Sequence, residues 1–170
     1  MADLTSASLP AVGPADHVRG APHAPLLVIY ADFTCVRCAV AAQRLAAAPV
    51  RVAYRHLVLS SRGPRGAALA HAAEAAELQD AFWPFHDRLF ADQGHQDDPH
   101  LWDRCRDLGL DLERFDRDRR SAAVADHVTG QTREALRGGA TATPTLLLAD
   151  GTLHGDGVDA ALAAAGVGLV

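Results

Sequence analysis

Two of the three cysteines in this 170-residue chain lie three positions apart, as Cys35 and Cys38 in the stretch ADFTCVRCAV. Such a pair binds a metal, forms a structural disulfide, or cycles between dithiol and disulfide. A zinc site needs about four ligands, and the sequence has no second CxxC and no paired histidines at ligand spacing. Three cysteines are too few for a disulfide framework. The redox dithiol is therefore the favoured interpretation, with zinc binding and an inert structural pair as alternatives.

The elements around the two cysteines determine how each sulfur behaves. Residues 26–33, LLVIYADF, form a continuous apolar run that predicts a central strand buried on both faces. Residues 35–48 are rich in helix formers, and Thr34 before them is a candidate N-cap. Residues 50–59, VRVAYRHLVL, predict a second strand. A strand–helix–strand unit builds parallel sheets, and it places Cys35 where the first strand gives way to the helix.

A cysteine in the first turn of a helix lies among backbone N–H groups that have no intrahelical partner. With the helix dipole, these groups favour a negative charge, so we predict that the pKa of the Cys35 thiol lies below that of a free cysteine. Arg37 adds a positive charge and is expected to act in the same direction. Cys38, one turn deeper, is expected to be less exposed. We therefore predict that Cys35 forms the mixed disulfide and that Cys38 resolves it.

A block of helices is predicted after the second strand. The helical spacing of apolar residues, together with caps and breaks, predicts helices in residues 65–80, in AFWPFHDRLFAD and in DPHLWDRCRDLGL, where Asp98 is the expected cap. It also predicts two helices in LERFDRDRRSAAVADHVTGQTREAL, which meet near Ser121. The stretch DAALAAAG predicts one more helix close to the end of the chain.

The stretch GGATATPTLLLADGTLHG, residues 138–155, predicts a hairpin with an Asp-Gly turn at 150–151. Thr143 and Pro144 precede its first strand, and the bond between them has two interpretations. A trans bond that opens the strand is what the residues alone favour. A cis bond would place a backbone edge beside the dithiol, where a substrate chain could pair as an added strand.

Composition and charge limit the class of protein. The chain is 49% hydrophobic and 22% charged, with a net charge of -5 and an isoelectric point near 5.9. These values are ordinary for a globular domain and do not favour nucleic acid as a partner. No run approaches the ~18 apolar residues of a membrane helix, and the N-terminus MADLTSASLPAV lacks the pattern of a secretory signal. We expect a cytoplasmic protein that binds neither nucleic acid nor membranes; the oligomeric state is left open.

Three further positions carry reactive side-chain types. Cys105, in LWDRCRDLG, is predicted to be a buried small apolar side chain, with a third redox thiol as the alternative. His86, beside Asp87 in FWPFHDRLF, is predicted to be structural, and so is His56 in YRHLVL. None of the three is therefore assigned to the site.

Four ordered segments resemble the DsbA-like thiol–disulfide oxidoreductases of the thioredoxin fold. They are DHVRGAPHAPLLVIYADFTCVRC, AFWPFHDRLF, LGLDLERF and GATATPTLLLADGTLHG. The resemblance implies an α/β, thioredoxin-like fold with a helical insertion between a β-α-β half and a β-β-α half. We expect a mostly irregular lead-in at 1–24, a core formed by 25–62 and 138–170, and an insertion at 63–137, all within one structural domain.

The resemblance also implies roles for the site residues. Cys35 is expected to be the nucleophile, Cys38 its partner, and Thr143–Pro144 a cis bond that faces them and contacts the substrate. The substrate is then a protein or a small thiol that carries a thiol or a disulfide. Thiol–disulfide exchange needs no metal and no organic cofactor.

Two features depart from the family pattern. Val36 and Arg37 stand between the cysteines, where the best-known members have Pro-His. This dipeptide tunes the redox behaviour, so the direction of electron flow is left open. Ile29 stands where many relatives carry a buried Glu, and Asp32 is the acid closest in sequence to the dithiol. A zinc-binding or redox-sensing module and a small-thiol-dependent isomerase therefore remain as alternatives on the same fold.

Overall fold

A mixed β-sheet with helices on both faces forms the centre of the protein. The computed structural model describes residues 8–155 and 157–168, so residues 1–7 of the expected lead-in lie outside the described part. The strands in chain order are β1 His17–Arg19, β2 Leu26–Ala31, β3 Arg51–His56, β4 Thr145–Leu148 and β5 Leu153–His154.

Helices of the described residues connect these strands. They are α1 Val36–Ala47, α2 Arg65–Glu77, α3 Phe82–Ala91, α4 Asp98–Asp107, α5 Leu112–Asp118, α6 Ala122–Arg137 and α7 Val158–Ala164, with a 3₁₀ turn at Ser60–Arg62. Helices α2 to α6 stand between β3 and β4 in chain order, as the sequence predicts. Within the described range, none of the helices is both long and apolar enough to cross a bilayer.

The order of the strands brings three chain segments to one edge of the sheet. The order is β1-β3-β2-β4-β5, and the central strand β2 runs parallel to β3 but antiparallel to β4. The carboxyl ends of β2 and β3 therefore lie at the same edge as the beginning of β4, where Tyr30 pairs with Thr145 and Ala31 pairs with His56. This arrangement confirms the predicted central strand and places residues 32–38 beside residues 143–144.

Two apolar layers enclose the sheet. Alternate residues of β2 and β3 point to opposite faces, so Ile29 and Tyr54 join the larger core, which takes side chains from α1 to α5 and from α7. Val28 and Ala53 face the other way and pack with Ala135 of α6. Apolar segments before β1 also pack on this second face. The sheet is therefore covered on both sides, as parallel pairing requires.

A buried ion pair fastens the segment before β1 to the second face. The Arg55 guanidinium donates to both carboxylate oxygens of Asp16, at 2.6 and 2.8 Å, and both side chains are buried. It also donates to the carbonyls of Pro10 and Ala11, at 2.8 and 3.0 Å, and to the hydroxyl of Tyr30, at 2.9 Å. Every nitrogen of the guanidinium is thus hydrogen-bonded, which offsets the cost of burying its charge.

Helix α2 approaches the end of β2 closely at Gly66. A Cβ built on Gly66 would lie 2.6 Å from Oδ2 of Asp32, well inside van der Waals contact. Asp32 is buried, and its other carboxylate oxygen is held by Thr34. Glycine is therefore required at this position, because any side chain would displace the carboxylate that precedes the two cysteines.

Two local predictions are wrong by one residue. Thr34 is not the N-cap of α1, because Cys35 itself takes that position. Asp98 is the first residue of α4, whereas Asp97 is its N-cap and accepts from a backbone N–H three residues on. The short strand β1 lies within the mostly irregular lead-in and is not predicted, because three residues with two polar side chains give no apolar alternation to detect.

We predict that Asp16→Ala lowers the free energy of unfolding by about 3 kcal/mol, because it leaves the buried Arg55 charge without its partner. Asp159→Ala is the matched control: it removes the exposed ion pair with Arg44, and its effect should stay below about 1 kcal/mol. Urea unfolding followed by circular dichroism measures both. Equal losses in the two variants would contradict the anchoring role of Asp16.

A second prediction compares two helical glycines. Gly66→Ala should lower the free energy of unfolding by roughly 1–3 kcal/mol, because the added methyl group overpacks the contact with Asp32. A Cβ at Gly130 in α6 meets nothing within 4 Å, so Gly130→Ala should raise that free energy by about 0.5–1 kcal/mol through helix propensity. Thermal and urea unfolding measure whether the free energy of unfolding falls in the first variant and rises in the second. Stabilisation by Gly66→Ala would contradict the close contact between Gly66 and Asp32.

Candidate active site

The sulfur of Cys35 acts as the cap of helix α1. Cys35 has extended backbone angles, φ −89° and ψ 113°, and its Sγ accepts a hydrogen bond from the backbone N–H of Cys38 at 3.3 Å. The Cys35 carbonyl accepts from the N–H groups of Cys38 and Ala39, at 3.0 and 3.2 Å. The sulfur thus takes the place of the oxygen that Ser, Thr or Asp supplies at an ordinary N-cap. A negative charge on this sulfur is stabilised by the same N–H groups.

A turn made by Asp32 aims Cys35 at this position. One carboxylate oxygen of Asp32 accepts from the backbone N–H and from the hydroxyl of Thr34, both at 2.7 Å. The Asp32 carbonyl accepts from the N–H of Cys35 at 3.0 Å. Thr34 is therefore used to close the turn and is not available to cap the helix, which explains why the cap shifts by one residue.

Two glutamines between α3 and α4 hold the carbonyl of Phe33. The side-chain amides of Gln93 and Gln96 donate to this oxygen at 2.8 and 3.0 Å, and Gln96 also donates to the carbonyl of Leu89 at 3.2 Å. Neither glutamine is predicted from the sequence, because both lie about 60 positions from Phe33 and belong to no motif. They fix the backbone just before the dithiol from the helical block.

Hydrogen bonding distinguishes the two cysteines more clearly than exposure does. Both are in the thiol form, and their exposed fractions are 2% for Cys35 and 0% for Cys38, so the expected contrast in exposure is small. Burial, and next the hydrogen bond with the Cys35 sulfur, raise the pKa of the Cys38 thiol far above its usual range. Cys38 is therefore a protonated thiol at neutral pH.

The loop before β4 faces the sulfur of Cys35. The Thr143–Pro144 peptide bond is cis, and the Cys35 thiol donates to the carbonyl of Thr143 at 3.5 Å. Thr143 is buried, and the hydroxyl of Thr145 donates to the carbonyl of Ala142 at 2.7 Å, which closes the loop. The two motifs singled out in the sequence, more than 100 residues apart, thus meet at one point.

The dipeptide between the cysteines points outward. The side chain of Val36 is 70% exposed, and the Arg37 guanidinium donates to the carbonyl of Gly155 at 3.4 Å. A shallow groove of about 490 Å³ begins at Val36 and runs between α1 and α3 past Val40 and Phe90. Its lining is largely apolar, so a reactive sulfur and an exposed apolar surface lie side by side. Tuning of Cys35 by Val36 and Arg37 stays a prediction.

The other reactive side chains are buried in the helical layer. Cys105 is fully buried in α4, and burial raises the pKa of its thiol to about 12. Burial also lowers the pKa of His86 to about 4, although Nδ1 of its ring is hydrogen-bonded to Oδ1 of Asp87 at 2.8 Å. The His86 ring packs on Phe33 and Phe90. These contacts confirm the predicted burial of Cys105 and the structural position of His86.

Comparison with known proteins agrees with this architecture. The family model of the DSBA-like thioredoxin domain matches residues 56–164. A thioredoxin-like oxidoreductase from Silicibacter pomeroyi DSS-3 superposes with a TM-score of 0.79 and 26% identity, over 90% of this chain and 91% of the other. Wolbachia pipientis alpha-DsbA1 shares the fold, with a TM-score of 0.71 and 21% identity over 93% and 92% of the two chains.

A curated relative is longer than this chain. The Na(+)/H(+) antiporter NhaA of Herminiimonas arsenicoxydans is 38% identical over 162 residues, which cover 91% of this chain and 26% of that protein. The chain thus spans about a quarter of the length of the curated relatives it matches. The family model covers more than half of the chain, and the solved structures share its strand and helix layers. The chain belongs to the family of DSBA-like thioredoxin domains.

Proposed function

We propose that the chain is a thiol–disulfide oxidoreductase that works through Cys35 and Cys38. One observation carries the proposal: the Cys35 sulfur caps α1, accepts the Cys38 N–H at 3.3 Å and lies 3.5 Å from the carbonyl of Thr143. A helix start that stabilises a thiolate, a second sulfur within reach and a backbone loop for the substrate are what exchange chemistry requires. Membership in the DSBA-like family supports the same class of activity.

In the oxidising direction, a substrate thiolate attacks Sγ of Cys35 in the Cys35–Cys38 disulfide. The bond between the two protein sulfurs breaks, a mixed disulfide forms at Cys35, and Cys38 leaves and takes up the proton that the substrate thiol released. A second substrate thiolate then attacks the substrate sulfur, and Cys35 leaves as a thiolate. Two electrons pass from the substrate to the protein, and the reverse sequence reduces a substrate disulfide.

The environments of the two sulfurs support these proposed roles. Burial disfavours charge on Cys38, whereas the first-turn amides of α1 favour charge on Cys35. Cys35 is therefore a good leaving group when a thiolate attacks the substrate sulfur of the mixed disulfide. Cys38 attacks the Cys35 sulfur only after losing a proton to a base. The proposal thus agrees with the roles that the sequence predicts.

The substrate is proposed to be an extended protein segment or a small thiol. A segment would pair with the backbone at Thr143 and Pro144 and rest an apolar side chain against Val36 and Val40, which are exposed beside the dithiol. No part of the antiporter activity named for the curated relatives is proposed for this chain, because they are about four times its length. Location in the cytoplasm stays a prediction of the sequence.

We predict that Cys35→Ser abolishes exchange, because no sulfur remains to form the mixed disulfide. Cys38→Ser should instead accumulate mixed disulfides, since the resolving thiol is missing. Insulin reduction with dithiothreitol, and non-reducing gels after incubation with a disulfide-linked peptide, from which the Cys35 thiolate displaces one thiol, measure the two effects. Cys105→Ser is the control and should keep full activity, because that thiol is buried in α4.

Two outcomes would contradict the proposal. Undiminished insulin reduction by Cys35→Ser would remove Cys35 from the reaction. Stoichiometric zinc that is lost in both Cys35→Ser and Cys38→Ser, with no exchange activity in the unmutated chain, would favour the zinc-binding alternative.

A further prediction concerns reactivity at neutral pH. In a Cys105→Ser background, Cys38→Ser should be alkylated by iodoacetamide at Cys35 at least about tenfold faster than Cys35→Ser is alkylated at Cys38. Cys38 is expected to react more slowly because its raised pKa leaves the thiol protonated until strongly alkaline pH. Mass spectrometry of timed samples gives both rates. In guanidinium chloride the two rates should become equal, and equal rates in the native state would contradict the assignment.

A further inference from the structure

Three histidine rings converge on one carboxylate oxygen in the larger core. Nε2 of His17 and Nε2 of His56 each lie 2.7 Å from Oε1 of Glu74, and Nε2 of His127 lies 3.7 Å from the same oxygen. The exposed side-chain fractions are 6% for His17, 1% for His56 and 8% for Glu74. The four residues come from β1, β3, α2 and α6, so the cluster joins the sheet to two helices.

The residue types of the cluster are those of metal ligands. Imidazole nitrogens and carboxylate oxygens are groups that bind Zn²⁺ in proteins. Here two imidazoles and one carboxylate present their ligating atoms to one another in a buried position.

The spacing of these atoms suits a shared ion. The ligating atoms of His17, His56 and Glu74 all lie within 4.8 Å of one another. Bonds of about 2.0–2.1 Å in a tetrahedron separate ligand atoms by roughly 3.3 Å, so the two short contacts would open by about 0.6 Å. On its far side, Nδ1 of His17 faces Oε2 of Glu77 at 3.8 Å, the arrangement in which an outer carboxylate orients a metal-binding histidine.

We propose that His17, His56 and Glu74 bind a divalent first-row metal ion such as Zn²⁺, with His127 as the fourth ligand. Three imidazoles and a carboxylate suit zinc and cobalt, whereas a hard cation such as Mg²⁺ prefers a ligand set made of oxygen atoms. Hydrogen bonding alone accounts for two of the contacts, but leaves Nε2 of His127 buried without a hydrogen-bond partner among the described residues. An ion at the centre would use that nitrogen.

The proposed ion is structural and stands apart from exchange. Neither Cys35 nor Cys38 is among its four ligands, which would tie β1 and β3 to α2 and α6. The sequence does not reveal these four ligands as a set, because they share no motif spacing and are spread from position 17 to position 127. The proposal does not rest on the proposed oxidoreductase activity.

Titration with Co²⁺ and Zn²⁺ tests the site in the full chain carrying Cys35→Ser, Cys38→Ser and Cys105→Ser, in which no thiol is left to bind the metal. We expect one equivalent of Co²⁺ with the intense visible bands of a tetrahedral site, and displacement of Co²⁺ by Zn²⁺. His127→Ala and Glu77→Gln, both at partly exposed positions, should weaken binding at least about tenfold. Glu74→Gln should abolish it.

His95→Ala is the control, because His95 is exposed and lies outside the cluster; it should bind as the parent does. Circular dichroism establishes that each variant is folded, and His127→Ala keeps the test decisive if Glu74→Gln does not fold. Absence of cobalt bands in the folded parent would overturn the proposal. Binding that survives both His127→Ala and Glu74→Gln would overturn it as well, because the ion would then lie elsewhere.

Discussion

The first turn of helix α1 needs an acceptor for its backbone N–H groups, and in this protein a cysteine sulfur supplies it. This one interaction explains why the two cysteines differ although they are neighbours on one helix and almost equally buried. The sulfur at position 35 faces N–H groups, and the sulfur at position 38 faces the core. Two unequal sulfurs suit the exchange proposed for this chain, and the geometry of a helix start makes them unequal.

Contacts with other parts of the fold fix the position of the turn that carries this cap. The Asp32 turn sets the direction of the chain, α2 presses on that turn at Gly66, and amides from the α3–α4 connection hold the carbonyl of Phe33. These supports come from the helical block between β3 and β4, which thus braces the turn that carries the two cysteines. Sheet topology adds the loop proposed to contact the substrate, since antiparallel β4 must begin at the edge where β2 ends.

Local patterns in the sequence predict much of this arrangement. The strand–helix junction at the two cysteines, the central position of β2 and the helical block follow from runs of apolar residues and from breaks at Gly and Pro. The N-cap lies one residue later than predicted. Thr34 is hydrogen-bonded to the carboxylate of Asp32, and Cys35 caps the helix instead. The two glutamines on Phe33 and the Gly66 contact depend on packing between distant segments, which no spacing rule within one element contains.

The alternation of β3 explains why the segment before the first predicted strand is part of the fold. Arg55 and His56 are adjacent, so their side chains leave the sheet on opposite faces. Arg55 meets Asp16 on one face, and His56 meets Glu74 together with His17 on the other. Consecutive residues 16 and 17 are thereby fastened to both faces of the same strand. A segment that looks irregular in the sequence is thus held by buried polar contacts, which apolar periodicity does not detect, and β1 pairs with β3 where those contacts place it.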